Sequence, residues 1–351
     1  MFRQEIGSEF HLCENNYGKI AQNNIFEYLS DFSSMFFDSG RSALRFLLQQ
    51  IKYKNVLLPG YICESVRHCF GEDCNVRYYN ITAGFTIDWN DLLEKSSDRL
   101  DVVYLHFFNG YIGKEYDFDA LMKLKNYYGF VIVEDTTHSF LSNPNTVGDF
   151  CFASLRKWFP IPDGGVLYTK KELKSEQLPT NSWAKAKAIA MQNKNRYLQG
   201  ISDDKQSFLK AFSHAENALD NQDEPFSISK DSYNILQSID REAVAKVRRQ
   251  NYAILKSGLA CNAVAYGGIN QAPLFYTASL PQRDELRAFL ISNGVYCPVH
   301  WPLYDELSHM PGAVQNYERE ISIPIDQRYT TTDMQYIVKL CRDYLEQEVY
   351  K

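Results

Sequence analysis

Lys157 is the residue of this sequence with the clearest potential as a nucleophile. It lies in GDFCFASLRKWFPIPDGGVLYT, residues 148–169, between an apolar, aromatic run and a turn rich in proline and glycine. A lysine among aromatic side chains is partly desolvated, and the adjacent Arg156 adds like-charge repulsion. Both effects favour the neutral amine, which is the form that attacks a carbonyl carbon. An ordinary loop lysine whose alkyl stem covers aromatic surface would have the same neighbours.

A turn that opens a helix precedes this lysine in the chain. Residues 39–44 read SGRSAL, and apolar residues at helical spacing follow them. Backbone N–H groups and the helix dipole at such a terminus suit a phosphate, which predicts phosphate contacts from Gly40, Arg41 and Ser42. Simple N-capping by Ser42 accounts for the same residues.

Two polar side chains follow an apolar strand-like run, VIVE, at residues 131–134. Asp135 at the end of such a strand could hold a protonated ring nitrogen, and His138 could hydrogen-bond a phenolate oxygen. The structural alternatives are a helix-capping Asp135 and a His138 that is satisfied by neighbouring backbone groups.

A hydroxyl and a glycine pair flank the lysine. Ser154, three residues before it, could share a phosphate, although a solvated turn serine would look the same. In Asp163-Gly164-Gly165 the glycines allow a tight turn and a close approach to a ligand, as they would in an unremarkable loop.

The order of these features fits pyridoxal phosphate. A phosphate turn comes first, then an acid at a strand end, then a lysine before a Gly-Gly strand. In that arrangement Asp135 keeps the pyridine nitrogen protonated, so that the ring accepts electrons. Lys157 binds the cofactor aldehyde and then moves a proton between the substrate carbon and the cofactor.

Composition limits the other function classes. The 351 residues give a length typical of about two domains, with 45% apolar and 23% charged residues. A formal net charge of -6 provides no field that would attract nucleic acid or an anionic membrane surface. No apolar run suits a secretory signal or a membrane span, and the eight cysteines show no zinc spacing. We therefore expect a cytoplasmic protein with no metal site.

Apolar strands that alternate with helices predict an α/β fold with a mainly parallel, mixed sheet. We expect a large domain over residues 1–248 and a smaller C-terminal α+β domain over residues 249–351. The strands expected in the large domain are 55–59, 76–79, 101–108 and 130–134, and the helices are 42–51, 62–70 and 118–128. Residues 25–37 are interpreted as a helix or lead-in, and residues 233–255 as one long helix. In the C-terminal part we expect strands at 272–277 and around His300, and helices at 283–292 and 332–346.

Most of the chain resembles the DegT/StrS family of fold-type-I, pyridoxal-phosphate-dependent sugar aminotransferases. The resemblance is carried by IGSEF, SGRSAL, LLPGY, VIVEDTTHSF, GDFCFASLRKWFPIPDGGVLYT, GVYCPVHWP and ISIPIDQRYTTTDM, and it leaves residues 183–228 unmatched. It implies that Lys157 is the Schiff-base lysine, that Asp135 faces the pyridinium and that His138 faces the phenolate oxygen. It also implies a homodimer with active sites at the subunit interface.

The same resemblance implies the remaining cofactor contacts. The backbone of residues 40–42 matches the phosphate loop, with Ser154 as a phosphate partner. Cys63, with Tyr61 close by, stands near the position of an aromatic residue that often stacks on the cofactor ring. The chain departs from the family pattern where Pro-Asp-Gly-Gly replaces Gly-Glu-Gly-Gly and where Ser154 lies three residues before the lysine instead of five. An Asn-x-Arg element commonly supplied by the partner subunit is missing.

Transamination is the leading interpretation. An amino acid, with glutamate as the expected donor, passes its amino group through the cofactor to a keto substrate, which we expect to be a keto sugar or nucleotide-linked keto sugar. His300 is a candidate for shaping the substrate pocket, and Arg41 and Arg328 are candidates for holding a donor carboxylate. The alternatives are a lyase or dehydratase on the same fold and a non-catalytic relative that binds the cofactor. Sugar dehydratases of this family carry histidine in place of the lysine, so Lys157 favours transamination.

Overall fold

The computed structural model of the protein describes residues 5–13, 19–97, 99–111, 116–142, 146–174, 176–259, 264–266 and 272–349. The chain divides into two compact units. The first unit comprises residues 1–5, 9–51 and 149–242, and the second comprises residues 6–8, 52–148 and 243–351.

Twelve strands occur in the described ranges. They are β1 (Ile6–Gly7), β2 (Ser33–Phe37), β3 (Asn55–Pro59), β4 (Asn75–Tyr79), β5 (Val102–His106), β6 (Val131–Asp135), β7 (Phe150–Ala153), β8 (Gly165–Thr169), β9 (Val264–Tyr266), β10 (Phe275–Ser279), β11 (Val295–Tyr296) and β12 (Glu320–Pro324).

Twelve α-helices occur in the same ranges. They are α1 (Ile25–Tyr28), α2 (Gly40–Gln50), α3 (Glu64–Arg67), α4 (Trp89–Lys95), α5 (Phe118–Tyr128), α6 (Ala184–Leu198), α7 (Lys205–Asp220), α8 (Lys230–Gln237), α9 (Arg241–Leu259), α10 (Arg283–Ser292), α11 (Pro311–Arg319) and α12 (Thr331–Val349). Short 3-10 turns cover His68–Phe70, Phe108–Gly110, Leu155–Lys157 and Asp305–Leu307.

The first unit contains an antiparallel sheet in the order β2-β8-β7. Helix α2 directly follows β2 in the chain and buries Ala43, Leu44 and Leu47 on one face. Apolar residues at a spacing of three to four place those side chains on the same side of the helix, as the sequence predicts. The first unit also contains the polar helices α6, α7 and α8, which account for the composition change after residue 183.

The second unit contains a parallel sheet in the order β6-β5-β3-β4. All five residues of β5 are buried, as are four of the five in β3 and in β6. Continuous burial of this kind is typical of parallel strands covered on both faces. Helix α5, between β5 and β6, begins with Asp117, whose side chain accepts a hydrogen bond from the N–H of Ala120, and ends at Gly129 with a φ of +83°. The predicted strands and the predicted helix 118–128 are therefore confirmed to within two residues.

The C-terminal part of the second unit has its own sheet and core. Strands β12, β10 and β9 are antiparallel, and β1 pairs in parallel with β11. Helices α9, α10 and α12 pack apolar side chains onto one cluster that includes Leu255, Leu290 and Ile337. This is the α+β arrangement expected of the tail. The expected boundary at residue 248 lies within the continuous helix α9 and stays a prediction.

The interpretation of residues 25–37 as a helix or lead-in is half wrong. Only α1 is helical, and it begins after Asn24, whose side chain accepts hydrogen bonds from the N–H groups of Phe26 and Glu27. Residues 33–37 form β2 because they pair with β8, from Ser33 opposite Thr169 to Phe37 opposite Gly165. Strand pairing across more than a hundred residues decides this segment, and local periodicity does not carry that information.

The single helix expected over residues 233–255 is two helices. Helix α8 ends before Ser238, and α9 begins at Arg241. The side chain of Asp240 accepts a hydrogen bond of 2.9 Å from the N–H of Glu242, which starts the second helix. Short polar side chains favour such breaks because they compete with the helical backbone for hydrogen bonds.

Two other expectations fail near the C-terminus. His300 is not on a strand, because β11 ends at Tyr296. The sequence interpretation also missed α11 and β12, and β12 pairs with the central strand β10 along all five of its residues. Among the described residues, no helix is both long and apolar enough to cross a membrane.

The close approach at Gly165 yields a test of the first unit. A Cβ atom there would lie 2.2 Å from the carbonyl carbon and oxygen of Ser39. We expect Gly165→Ala to lower the free energy of unfolding by at least about 3 kcal/mol, because both contacts are with backbone. Gly71→Ala is the control, since that glycine has a φ of +66° and open space around it and should lose only about 1 kcal/mol. Urea denaturation measures both, and equal losses would contradict the steric explanation.

Candidate active site

The turn before α2 is a set of interlocked polar groups in the first unit. Ser39 is the N-cap, and its Oγ accepts a hydrogen bond of 3.0 Å from the N–H of Ser42. Ser42 is therefore not the capping residue. Its Oγ donates to Asp38 at 2.6 Å and accepts from Gln222 Nε2 at 2.9 Å. The backbone N–H groups of Gly40 and Arg41, in the first turn of an eleven-residue helix, are of the kind that binds phosphate.

Ser154 and the glycines of the later turn lie against this terminus. A Cβ atom on Gly40 would be 3.2 Å from the Cβ and the backbone nitrogen of Ser154, so the serine borders the first turn of α2. Gly165 touches Ser39 in the same way. The expected close approach of the Gly-Gly turn is therefore made to the chain's own backbone, and it brings residues 39–42, Ser154 and Gly165 together within one unit.

The side chain of Asp163 anchors the turn that contains Gly164 and Gly165. Its buried carboxylate accepts hydrogen bonds from Asn181 Nδ2 and Ser229 N–H, each at 2.9 Å, and from the hydroxyls of Ser229 and Ser232. Ser229 is the N-cap of α8. The carboxylate thus ties the segment after Lys157 to a helix end more than sixty residues later.

Lys157 is the last residue of the 3-10 turn that follows β7, and it is half-buried. The turn is fixed by hydrogen bonds from the N–H groups of Leu155 and Arg156 to the carbonyl of Gly164. Trp158 and Phe159, the next two residues, are fully buried. The expected partial desolvation of the lysine among aromatic residues agrees with this placement.

The expected charge repulsion from Arg156 is wrong. Both terminal nitrogens of its guanidinium bind the carboxylate of Glu216, with Nη2 at 3.0 Å from Oε2. Burial acts to lower the pKa of Arg156, but the facing carboxylate raises it overall, and Arg156 with Lys187 depresses the pKa of Glu216 against the effect of burial. The charge of Arg156 is therefore neutralised locally. Arg41 is similarly engaged, with Nη1 2.6 Å from Oδ1 of Asp220.

Asp135 is the last residue of β6 and lies in the second unit. One carboxylate oxygen, Oδ1, accepts a hydrogen bond from the N–H of Thr137 at 2.8 Å. The other, Oδ2, accepts from the Tyr104 hydroxyl at 2.9 Å and lies 3.3 Å from Nδ1 of His106. The alternative of a helix-capping Asp135 is excluded, because Thr137 is in a turn after the strand.

These partners decide the charge of Asp135. Burial alone would raise its pKa, but the neighbouring His106 and the hydrogen bonds from Thr137 lower the pKa below 3.8. Glu134, the preceding residue, shows the opposite result. Among the described residues it accepts hydrogen bonds only from the N–H groups of Val147 and Gly148, and burial raises its pKa to about 7. Asp135 is thus an ionised carboxylate in a buried site.

His138 follows Asp135 and is buried. Its Nδ1 accepts a hydrogen bond of 3.3 Å from the N–H of Asn109, so the proton of the neutral ring is on Nε2. The structural alternative was that neighbouring backbone groups satisfy the hydrogen bonds of His138. This is true of Nδ1, which is bonded to a backbone N–H. The same bond orients the other nitrogen as a donor, which is the orientation that a negatively charged oxygen requires.

His106 is a site residue that the sequence interpretation missed. It is the last residue of β5 and lies directly opposite Asp135 in the parallel register. Its side chain is 3% exposed, and Nε2 is buried without a hydrogen-bond partner among the described residues. The sequence could have indicated His106 by its position at the end of a predicted strand, because polar residues that end neighbouring parallel strands lie at one edge of the sheet.

An aromatic cluster of the second unit surrounds these histidines. The Trp301 ring centroid is 5.6 Å from that of His106 and 5.4 Å from that of His138. Tyr61 belongs to this cluster, with its ring centroid 5.5 Å from Trp301, and burial raises the pKa of its hydroxyl well above 10. Cys63 is half-buried at the start of α3, with Sγ 3.1 Å from Ser65 Oγ.

The two remaining predicted substrate residues, His300 and Arg328, also lie in the second unit. The His300 ring centroid is 5.3 Å from that of His138. Nε and Nη2 of Arg328 each lie 2.8 Å from a carboxylate oxygen of Asp326, and Nη2 also donates to the carbonyl of Ser8. The Arg328 fork is therefore occupied within the chain. No group of three or more His, Cys, Asp or Glu side chains in the described part of the chain could hold a metal ion.

Comparison with known proteins identifies the fold. No protein-family model matches the sequence, and no curated protein matches it. Solved structures do match. A putative sugar aminotransferase from Streptococcus pneumoniae, Spr1654 in its PLP form, is similar over 98% of this chain and 99% of its own, with a TM-score of 0.68 and 14% identity. The aminotransferase TlmJ from Streptoalloteichus hindustanus covers 92% and 89%, with a TM-score of 0.67 and 17% identity.

A DegT/DnrJ/EryC1/StrS aminotransferase from Brucella abortus gives a TM-score of 0.63 at 14% identity, over 91% of this chain and 88% of its own. The chain has the fold of these aminotransferases. The predicted fold class, an α/β fold of type I with parallel and antiparallel strands and a C-terminal α+β part, is confirmed. At these identities the likeness concerns the fold, and the chemistry rests on the side chains described above.

Asp38 makes the stability of the first unit dependent on pH. Its carboxyl group is fully buried, and burial raises its pKa from 3.8 to about 6 despite the hydrogen bonds from Ser42, Gln222 and Ser39. The unfolded chain therefore releases this proton first, and stability falls as pH rises from about 4 to about 6. In the wild type, this titration should lower the free energy of unfolding by up to about 3 kcal/mol between those pH values. We expect that decrease to be absent in Asp38→Asn.

Urea denaturation at a series of pH values measures this effect as the difference between variant and wild type. Asp31→Asn, at an exposed position of the same unit, is the control and should follow the wild-type curve. A curve for Asp38→Asn that runs parallel to that of the wild type would contradict the assignment.

Replacement of His106 tests the account of Asp135. His106→Asn keeps a donor but removes the imidazole whose Nδ1 lies 3.3 Å from Asp135 Oδ2, so a buried carboxylate loses one of its three partners. We expect a loss of about 3 kcal/mol in the free energy of unfolding near neutral pH. The deficit should shrink in acid, where Asp135 is protonated in both proteins. His68→Asn is the control, because that side chain is exposed and should cost less than about 0.5 kcal/mol. Equal effects of the two substitutions would rule out the proposed pairing.

Proposed function

We propose that this protein is a pyridoxal-phosphate-dependent aminotransferase of the DegT/StrS family. It moves an amino group from an amino acid, with glutamate as the donor, to a keto substrate of the keto-sugar class. The observation that carries the proposal is the ionised, buried Asp135 with its three partners. A carboxylate of that kind is what a protonated ring nitrogen requires, and few other roles justify its desolvation.

Each part of the cofactor has residues that are proposed to hold it. The N–H groups of Gly40 and Arg41, together with Ser42 and Ser154, suit a phosphate group. Asp135 suits a pyridinium nitrogen, and His138 suits a phenolate oxygen. Tyr61 and Cys63 are proposed as neighbours of the cofactor ring. Lys157 would supply the amine that binds the cofactor aldehyde.

Pyridoxal phosphate supplies an electron sink for the carbon that carries the amino group. The chain's own residues would keep the cofactor ring in the protonation state that accepts electrons. Asp135 keeps the ring nitrogen protonated because its own proton affinity is low in this site. His138 donates from Nε2 while Nδ1 is held by Asn109. The neutral amine of Lys157, when not bound to the cofactor, would move a proton between the α-carbon of the amino donor and the cofactor.

Substrate class, assembly and location complete the proposal. The similarity to Spr1654, a putative sugar aminotransferase, supports a keto sugar as the amino acceptor. Arg41 and Arg328 are proposed to receive the donor carboxylate, although each now binds an aspartate. Of the two, Arg41 is the better candidate, because its partner Asp220 is exposed and such pairs are weak. We propose a cytoplasmic homodimer with active sites at the subunit interface.

Lys157 provides the direct test of this function. Purified protein given pyridoxal phosphate should turn yellow, borohydride should fix the cofactor to Lys157, and glutamate should bleach the yellow band. Lys157→Ala should abolish the fixation and lower turnover at least about 10⁴-fold. Lys185→Ala, at an exposed position on α6, should behave as the wild type.

Two results would overturn the proposal. One is a wild-type protein that stays colourless with the cofactor. The other is a yellow protein that converts serine into ammonia and a keto acid by loss of water, without amination of any keto acceptor, which would establish a lyase.

A further inference from the structure

The proposed function leaves unused a buried acid–imidazole pair in the second unit. Glu320, the first residue of β12, has no exposed surface. Its carboxylate accepts a hydrogen bond of 2.8 Å from the N–H of His300, and Oε1 lies 3.5 Å from Nδ1 of the same residue. Among the described residues, no arginine or lysine lies within ion-pair distance of this carboxylate. The imidazole of His300 therefore faces this carboxylate without a competing cation from the described residues.

The proton positions around the pair follow from the donors present. The Ser322 hydroxyl donates its single proton to Glu320 Oε1. Its oxygen can therefore only accept from His300 Nδ1, which lies 3.2 Å away. Both atoms that face Nδ1 are acceptors, so Nδ1 carries the ring proton. Nε2 of the neutral ring then has a lone pair, and no described residue donates to it.

The position of the ring connects the pair to the proposed site. His300 lies 5.3 Å from His138 and 5.2 Å from Phe275, measured between ring centroids. Asn109 is hydrogen-bonded to both His138 and Phe275. Its backbone N–H donates to His138, and its side chain exchanges two hydrogen bonds with the backbone of Phe275. His138 and His300 are thus held at a fixed separation. The His300 side chain keeps 9% of its surface exposed.

We propose that Glu320 is a positioning residue that fixes His300 with Nε2 as a hydrogen-bond acceptor for a hydroxyl group of the keto substrate, next to its carbonyl. This inference rests on the proposed function and narrows its substrate to α-hydroxy ketones. An acceptor nitrogen matches an O–H donor, and a ketone without that hydroxyl would leave the nitrogen unpaired in a largely buried place. Glu320 acts through the tautomer of the ring and does not touch the substrate.

The first test is the tautomer itself. In the holoenzyme labelled with ¹⁵N-histidine, the His300 signals are identified by their loss in His300→Asn. The inference predicts the Nδ1–H tautomer in the wild type and a substantial Nε2–H population in Glu320→Gln. Glu318→Gln, at an exposed position on α11, should leave the tautomer unchanged. A wild-type ring with its proton on Nε2 would overturn the inference, whether or not the variants fold.

The second test separates the two halves of the reaction. The pyridoxamine form of the enzyme is mixed with hydroxyacetone or with acetone, and the return of the yellow band gives kcat/KM for each ketone. The wild type and Glu318→Gln should prefer hydroxyacetone at least about tenfold, and Glu320→Gln should reduce that preference to less than about twofold. Bleaching by glutamate should stay within about twofold of the wild type in both variants.

An undiminished preference for hydroxyacetone in Glu320→Gln would refute the positioning role while leaving the aminotransferase proposal intact. A wild type without a yellow band would refute the aminotransferase proposal instead. In that case the tautomer measurement still decides whether Glu320 orients His300.

Discussion

A carboxylate that is removed from bulk water stays ionised only if fixed donors replace the lost hydration, and the second unit is arranged around one such group. Asp135 receives hydrogen bonds from Thr137 and Tyr104 and faces His106. Tyr104 and His106 are both on β5, and their positions depend on the parallel register of β5 and β6. A shift of one residue in that register would point both side chains to the opposite face of the sheet. The chemistry proposed for the cofactor ring therefore depends on strand pairing.

Glu134 shows how specific this arrangement is. It lies one residue before Asp135 on the same strand and is also buried, yet its pKa is raised to about 7. Two backbone N–H groups are too few to offset its desolvation, and no cation faces it among the described residues. Adjacent carboxyl groups thus have pKa values shifted in opposite directions because their side chains leave the strand in opposite directions. Only one of them has the properties that a protonated ring nitrogen needs.

The sequence predicted what local pattern determines and failed where distant residues decide. The apolar strands β3, β5 and β6 and helix α5 are recognisable because burial on both faces and capping residues leave a clear local signature. The partners of Asp135 and His300 are not recognisable in this way. His106 and Asp135 are 29 residues apart, and Arg156 and Glu216 are 60 apart, so neither pair has a local signal. For the same reason the repulsion expected from Arg156 was misjudged.

The departures from the family pattern have a physical explanation in the first unit. The aspartate of Pro-Asp-Gly-Gly is a buried anchor for Asn181, Ser229 and Ser232, which orders the turn after Lys157. Ser154 borders the first turn of α2 through its contact with Gly40, so a spacing of three residues from the lysine still places it beside the turn that is proposed to hold the phosphate. These contacts support cofactor binding by a chain whose motifs differ from those of the proteins it resembles in fold.

The central claim is that Asp135 holds a protonated pyridine nitrogen. It is tested most directly by ¹⁵N nuclear magnetic resonance of the protein loaded with pyridoxal phosphate labelled at the ring nitrogen. The account predicts the chemical shift of a protonated ring in the wild type and a shift toward that of a neutral pyridine in Asp135→Asn at equal cofactor occupancy. A neutral ring nitrogen in the wild type, or the same protonation in both proteins, would contradict it.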